Sequence, residues 1–192
     1  MNPNPNPNPN RNLIEEAKQI QQTYKKPFFF KKKTKIECAK NVSNTMNLEE
    51  LLFHTSFQIP NTNIIYIDYT IFKLYANEDN YIHIIHTILG LITHCISTYG
   101  NYIIHINFDS FTISAFERYK EMFFLLISTI GDMEVYPYMT QCYIYYSPST
   151  IMQMIQFITS VIKINIKEKI TLYNKEESKS LLDQLFTSFD NR

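Results

Sequence analysis

Glycine is scarce in this chain: Gly90, Gly100 and Gly131 are the only three in 192 residues. Phosphate-cradling loops need closely spaced glycines, and neither G-x-G-x-x-G nor G-x-x-x-x-G-K-[ST] occurs. The G-x-S-x-G nucleophile elbow is missing as well. Cysteine is equally sparse. Cys38, Cys95 and Cys142 are odd in number, far apart and without a C-x-x-C pair. That argues against a disulfide framework and for a reducing compartment. The longest uncharged stretch, Tyr81–Phe108, is interrupted by His, Thr, Gly, Ser and Asn and does not read as a membrane span. The first twelve residues, MNPNPNPNPNRN, lack the apolar centre of a signal peptide.

Basic and acidic residues balance at 18 each, but unevenly along the chain. Residues 1–40 hold nine basic and three acidic side chains, whereas the remainder holds nine and fifteen. A basic arm on an acidic body predicts an anionic partner for the arm, or contact between the two. Ile, Asn, Lys, Tyr and Phe make up nearly half of the chain. Their codons are rich in A and T, so the tyrosines and asparagines are not read as recognition signals.

Asn2–Asn10 alternates with proline, which predicts an extended, disordered tail. Leu13–Lys26 reads as a short polar helix. KKPFFFKKKTK follows, then a polar linker to about Asn47, with one or two helical turns at Leu48–His54. Asn63–Tyr75 is rich in β-branched and aromatic residues and reads as a strand with a continuation. Asp79 or Asn80 can cap a helix to about Tyr99, closed by Gly100. Tyr102–Phe108 is almost continuously apolar, as a strand buried on both faces should be. A helix of roughly Ala115–Ile130 follows, with Ser114 and Glu117 at capping-box spacing and Gly131 at its end. Cys142–Tyr146, a helix Ser149–Ile162, Lys169–Tyr173 and a helix from about Glu176 to Phe189 complete the pattern. The alternation predicts an α/β fold, a mostly parallel sheet flanked by helices.

The segments INFDSFTIS, VYPYM, CYIYYSP, the helix Ser149–Ile162 and IKEKITLY occur in an order and spacing that resemble the CRAL-TRIO family. KEESKSLLDQL looks like a further segment of that family, and the resemblance covers about residues 60–189. With the tail and arm read above, the chain divides into a disordered tail (1–12), a basic arm with short helices (13–59) and, as the resemblance implies, a CRAL-TRIO-like domain (60–192). It also implies a non-enzymatic lipid-binding module, cytoplasmic or peripheral to a membrane, working without a cofactor. Ser149–Ile162 would be its gate helix, with Ile151, Met154, Ile155 and Ile158 facing an acyl chain of a phospholipid or other hydrophobic ligand. Lys169 would meet the headgroup. The family's acidic residue after Tyr-Pro is replaced by Tyr138. That departure resembles the divergent branch found in Rho-GTPase-activating and neurofibromin-type proteins. It leaves open a protein-interaction adaptor or structural subunit with a filled core.

Other residues carry weaker signals. His83, His86 and His94 lie on the polar side of their helix and read as solvated rather than as metal ligands. His105 reads as a satisfied core histidine and Asp109 as a turn residue. In the arm, Phe28, Phe29 and Phe30 are flanked by Lys31, Lys32 and Lys33, a combination that suits an anionic membrane surface. The same phenylalanines could dock on the domain; nucleic acid is the least expected partner. If the arm meets membrane, changing Lys31, Lys32 and Lys33 to Gln removes roughly 3 kcal/mol of attraction to anionic liposomes. Sedimentation with liposomes across a salt series measures this. Binding that ignores both salt and the substitutions contradicts membrane contact.

Overall fold

The computed structural model describes residues 10–23, 31–162 and 167–190. The chain forms an α/β fold with a mixed five-stranded sheet flanked by helices. Helices α1 (Asn10–Thr23), α2 (Lys31–Thr45) and α3 (Leu48–Thr55) precede strands β1 (Ser56–Gln58) and β2 (Ile64–Asp68). Helices α4 (Tyr69–Tyr75) and α5 (Tyr81–Tyr99) lead to β3 (Tyr102–Asn107). Then come α6 (Ile113–Asp132), β4 (Met139–Tyr145), α7 (Ile151–Ile162), β5 (Ile170–Leu172) and α8 (Lys175–Asp190).

The strands lie in sequence order, β1-β2-β3-β4-β5. Strand β1 runs antiparallel to β2, and β2 to β5 run parallel. Each crossover therefore steps one strand in the same direction. Crossovers of one hand then place α4, α5, α6 and α7 on a single face. The burial agrees: Ile65, Ile104, Cys142 and Ile144 share one core with residues of those four helices. Side chains alternate along a strand, so Tyr66 and Tyr145 point to the opposite face. There they pack with Leu182 of α8.

Local chemistry sets the boundaries. Gly100 takes φ 76° and its N–H donates to the Ile96 carbonyl at 2.9 Å, the left-handed ending that glycine permits. Helix α5 is long and apolar enough to cross a membrane by length and composition. In this fold it buries Ile84, Ile85, Ile88, Leu89, Ile92 and Cys95 in the core. Asn80 flanks α5 without capping it, because its side chain is used on the Asn77 N–H and the Tyr75 carbonyl.

Several expectations need correction. Tyr69–Tyr75 does not continue β2 but turns into α4. The Asp68 carboxylate accepts from the Thr70 N–H at 2.7 Å and its hydroxyl at 2.6 Å, which starts a helix where composition suggested a strand. The polar linker before Asn47 is α2, which buries Ala39 and Val42. Residues 10–12 belong to α1, whose Leu13 and Ala17 join the same core as the sheet. The cap of α6 is Thr112, accepting from the Ala115 N–H, not Ser114, and the helix runs past Gly131 to Asp132. Strand β1 was not expected at all. Phe28, Phe29 and Phe30 and the Asn-Pro tail up to residue 9 lie outside the described residues, as do the side chains of Lys31, Lys32, Lys33 and Ile158.

Beyond β4, Tyr146 adopts φ 52°, uncommon for a bulky residue. Ser178 of α8, fully buried, accepts from the Tyr146 N–H at 2.7 Å and donates to the Asn174 carbonyl at 2.5 Å. The hydroxyl thus ties the left-handed turn to α8. Ser178→Ala leaves the Tyr146 N–H without its acceptor and should destabilise the fold by about 1–3 kcal/mol. Urea unfolding measures the loss; a change below a few tenths of a kcal/mol contradicts this role.

Candidate functional site

Between the sheet and helices α6 and α7 lies a cavity of about 190 Å³. Its floor is the helix-facing side of the parallel strands: Ile67, Ile104, Ile106, Cys142, Ile144 and Ile170. Ile151, Met154 and Ile155 of α7 line it from above, and each is buried. Phe123, Leu126, Ile127 and Ile130 of α6 form a side wall. Tyr69, Phe108 and Phe111 line the end near the carboxyl ends of β2 and β3, with ring centroids of Tyr69 and Phe111 4.9 Å apart. No lining residue is charged.

The exposure of particular residues follows from this space. Ile67 and Ile106 face the helices from interior strands, yet are only half-buried because the cavity lies above them. The same holds for Phe123, Leu126, Ile127 and Ile130. Outside the cavity, Phe157 on α7 and Leu125 on α6 are exposed at 50% and 46%. Phe157 also packs edge-on against Phe124 at 5.5 Å, so apolar surface extends from the cavity wall to the outside of the α6–α7 pair.

The cavity is partly open to the outside, so the roughly 4–5 kcal/mol that a sealed apolar void of this volume would cost, at about 24 cal/mol per Å³, is an upper bound. Water entering it finds few polar partners, whereas each methylene buried there contributes about 0.8 kcal/mol. The thiol of Cys142, on the floor, is pushed up to about 12 by burial, so it is a neutral apolar surface rather than a nucleophile.

Of the sequence-derived residues, Ile151, Met154 and Ile155 come together on this wall. Lys169 stands apart from the lining. Its ammonium donates to the carbonyls of Tyr136 and Pro137, both at 3.3 Å, and lies 4.4 Å from the Tyr136 ring centroid. Tyr136 and Ile170 line the cavity, so the amine sits at its rim, holding the turn before β4. Tyr138 is exposed beside it. His83, His86 and His94 are exposed, and among the described residues no cluster of His, Cys, Asp or Glu is arranged to hold a metal ion. The α6 wall was not anticipated. Its signal was the run FFLLISTI, residues 123–130, which is apolar over more than one helix face.

Comparison with protein-family models, curated proteins and solved structures finds no match to this chain. The functional reading therefore rests on the cavity itself.

On the opposite face of the sheet, His105 is buried with Nδ1 2.8 Å from the Tyr145 hydroxyl and its ring 4.8 Å from that of Tyr143. Burial lowers its pKa to about 4 from the ordinary value of 6.5. Above pH 6.5 both folded and unfolded chains carry a neutral His105. Between 6.5 and 4 only the unfolded chain takes up the proton, so stability falls as pH drops through that window, by on the order of 2–3 kcal/mol. Urea unfolding of wild type and His105→Gln at pH 7 and pH 4.5 isolates this part. Equal pH dependence in the two proteins contradicts it.

Proposed function

We propose that this protein is a small non-enzymatic lipid-binding module of CRAL-TRIO type, holding a phospholipid acyl chain or another hydrophobic ligand between the sheet and α7. The observation that supports this most is the uncharged cavity beneath α7, lined by Ile151, Met154 and Ile155. Its destabilising volume is relieved when an apolar ligand fills it. Met154, an unbranched and adaptable side chain, suits a flexible ligand.

In this reading the ligand is held by apolar contact alone. No charged residue lines the cavity, so a polar headgroup stays at the rim. Lys169 stands beside Tyr136 at that rim, and a headgroup phosphate would compete with the two backbone carbonyls it now serves. The exposed Phe157 and Leu125 give the outside of the α6–α7 pair an apolar approach to a membrane surface. An adaptor with a filled core is the competing reading, and the cavity volume weighs against it.

Met154→Trp places a large ring in the cavity and should weaken binding of a fluorescent polyene fatty acid by tenfold or more, about 1.4 kcal/mol. The substitution fills space, so thermal stability of the unliganded protein should hold or rise. Fluorescence titration of wild type and variant checks both. Wild-type protein that binds no apolar probe hands the case to the adaptor reading.

A further inference from the structure

At the end of the cavity lined by Tyr69, Phe108 and Phe111, apolar contact gives way to a cation. Lys73 of α4 holds its Nζ 5.7 Å from the Tyr69 ring centroid and donates to the Ser110 Oγ at 2.5 Å. Ser110 stands between Phe108 and Phe111, whose rings stack at 4.4 Å and line the cavity. The ammonium is thus placed against three rings of the lining. Tyr69 and Phe108 follow β2 and β3, whereas Tyr136 and Lys169 precede β4 and β5. The strands are parallel, so Lys73 and Lys169 mark opposite ends of the cavity.

The turn that carries Ser110 is fixed from both sides. The Asp109 N–H donates to the Asn107 side chain at 3.0 Å, and the Phe111 N–H donates to the Phe108 carbonyl at 2.8 Å. The Ser110 hydroxyl donates to the Asp109 carbonyl at 2.5 Å, which leaves its oxygen to accept from Lys73. That contact uses one of the three donors of an ammonium. Among the described residues, no salt bridge satisfies Lys73. Burial lowers its pKa; Asp109 and Asp68 oppose that shift, and Lys18 of α1 and Lys35 of α2 reinforce it. The half-buried ammonium is short of solvation that an anion would restore. Three lysines there face two carboxylates, and that of Asp68 is buried and already accepts from Thr70. Lys169 differs, because its ammonium already serves two carbonyls. The cavity, at about 190 Å³, is close in size to an apolar site of roughly 150 Å³ that takes benzene, and so suits one chain rather than a pair.

We propose that the ligand is a single-chain fatty acid, with its chain in the cavity and its carboxylate on Lys73 at the Tyr69–Phe108–Phe111 end. This rests on the cavity reading above and adds the chemistry of the head. The carboxylate takes the ammonium donors that Ser110 leaves, while Ser110 keeps the amine against the aromatic end. A charge-assisted contact of this kind is about twice as strong as one between neutral groups. An ester of the same chain fills the cavity equally but brings no charge to Lys73.

Fluorescence titration of the delipidated full chain at pH 8, with a polyene fatty acid and with its methyl ester, tests this. Wild type should bind the acid about tenfold or more tighter than the ester, the size of one hydrogen bond to a charged group. Lys73→Gln should remove that preference, while the ester's affinity and the melting temperature hold. Asp109→Asn, at an exposed position, should tighten binding of the acid alone by about twofold. Equal affinity of wild type for acid and ester overturns the carboxylate site and leaves the cavity reading standing. A preference that survives Lys73→Gln, that ignores Asp109→Asn, or that is lost in Lys169→Gln instead does the same. Binding of neither probe overturns the cavity reading and this inference with it.

Discussion

The space that side chains do not fill between the sheet and the α6–α7 pair is the constraint around which this fold is arranged. Strands laid down in sequence order send every crossover helix to one face, so that face receives four helices and most of the apolar side chains. Ile84, Ile85 and Ile92 of α5 are essentially fully buried, yet between the sheet and the helices a volume of about 190 Å³ remains, lined by residues of all four. Close-packed interiors tolerate few such voids. A lining this apolar disfavours charge and offers water few polar partners.

The other face of the sheet is built differently. One helix, α8, covers it, and the packing is aromatic: Tyr66 against Phe186 at 5.0 Å and Tyr145 against Tyr173 at 5.2 Å. Polar groups there are paired, as with His105 and Tyr145 or Ser178 and Tyr146. This face is held by ring packing and by these paired polar groups.

The sequence spelled out the regular parts of this architecture because each is set locally. Continuous apolar runs marked β3 and β4, and Gly100 marked the end of α5. Tyr69–Tyr75 misled because a short apolar, aromatic run has no periodicity that separates a buried helix from a strand; the deciding group was the carboxylate of Asp68 just before it. Helix α2 was hidden by its polar composition, since little beyond Ala39 and Val42 is buried. The inward stripe of α7 was legible as Ile151, Met154 and Ile155. Whether anything fills the space they face depends on how far α6 stands from the sheet, a tertiary distance that no local pattern encodes. Lys169 shows the same limit: its type suggested an anion, whereas its partners are two carbonyls contributed by residues more than thirty positions away.

Native mass spectrometry of the full-length protein, before and after extraction with organic solvent, tests the central claim most directly. The account predicts either a co-purifying apolar ligand that extraction removes, or, for protein isolated empty, uptake of one long-chain fatty acid or phospholipid per chain. A protein that carries no ligand and takes up none at saturating lipid, while remaining folded, would contradict it.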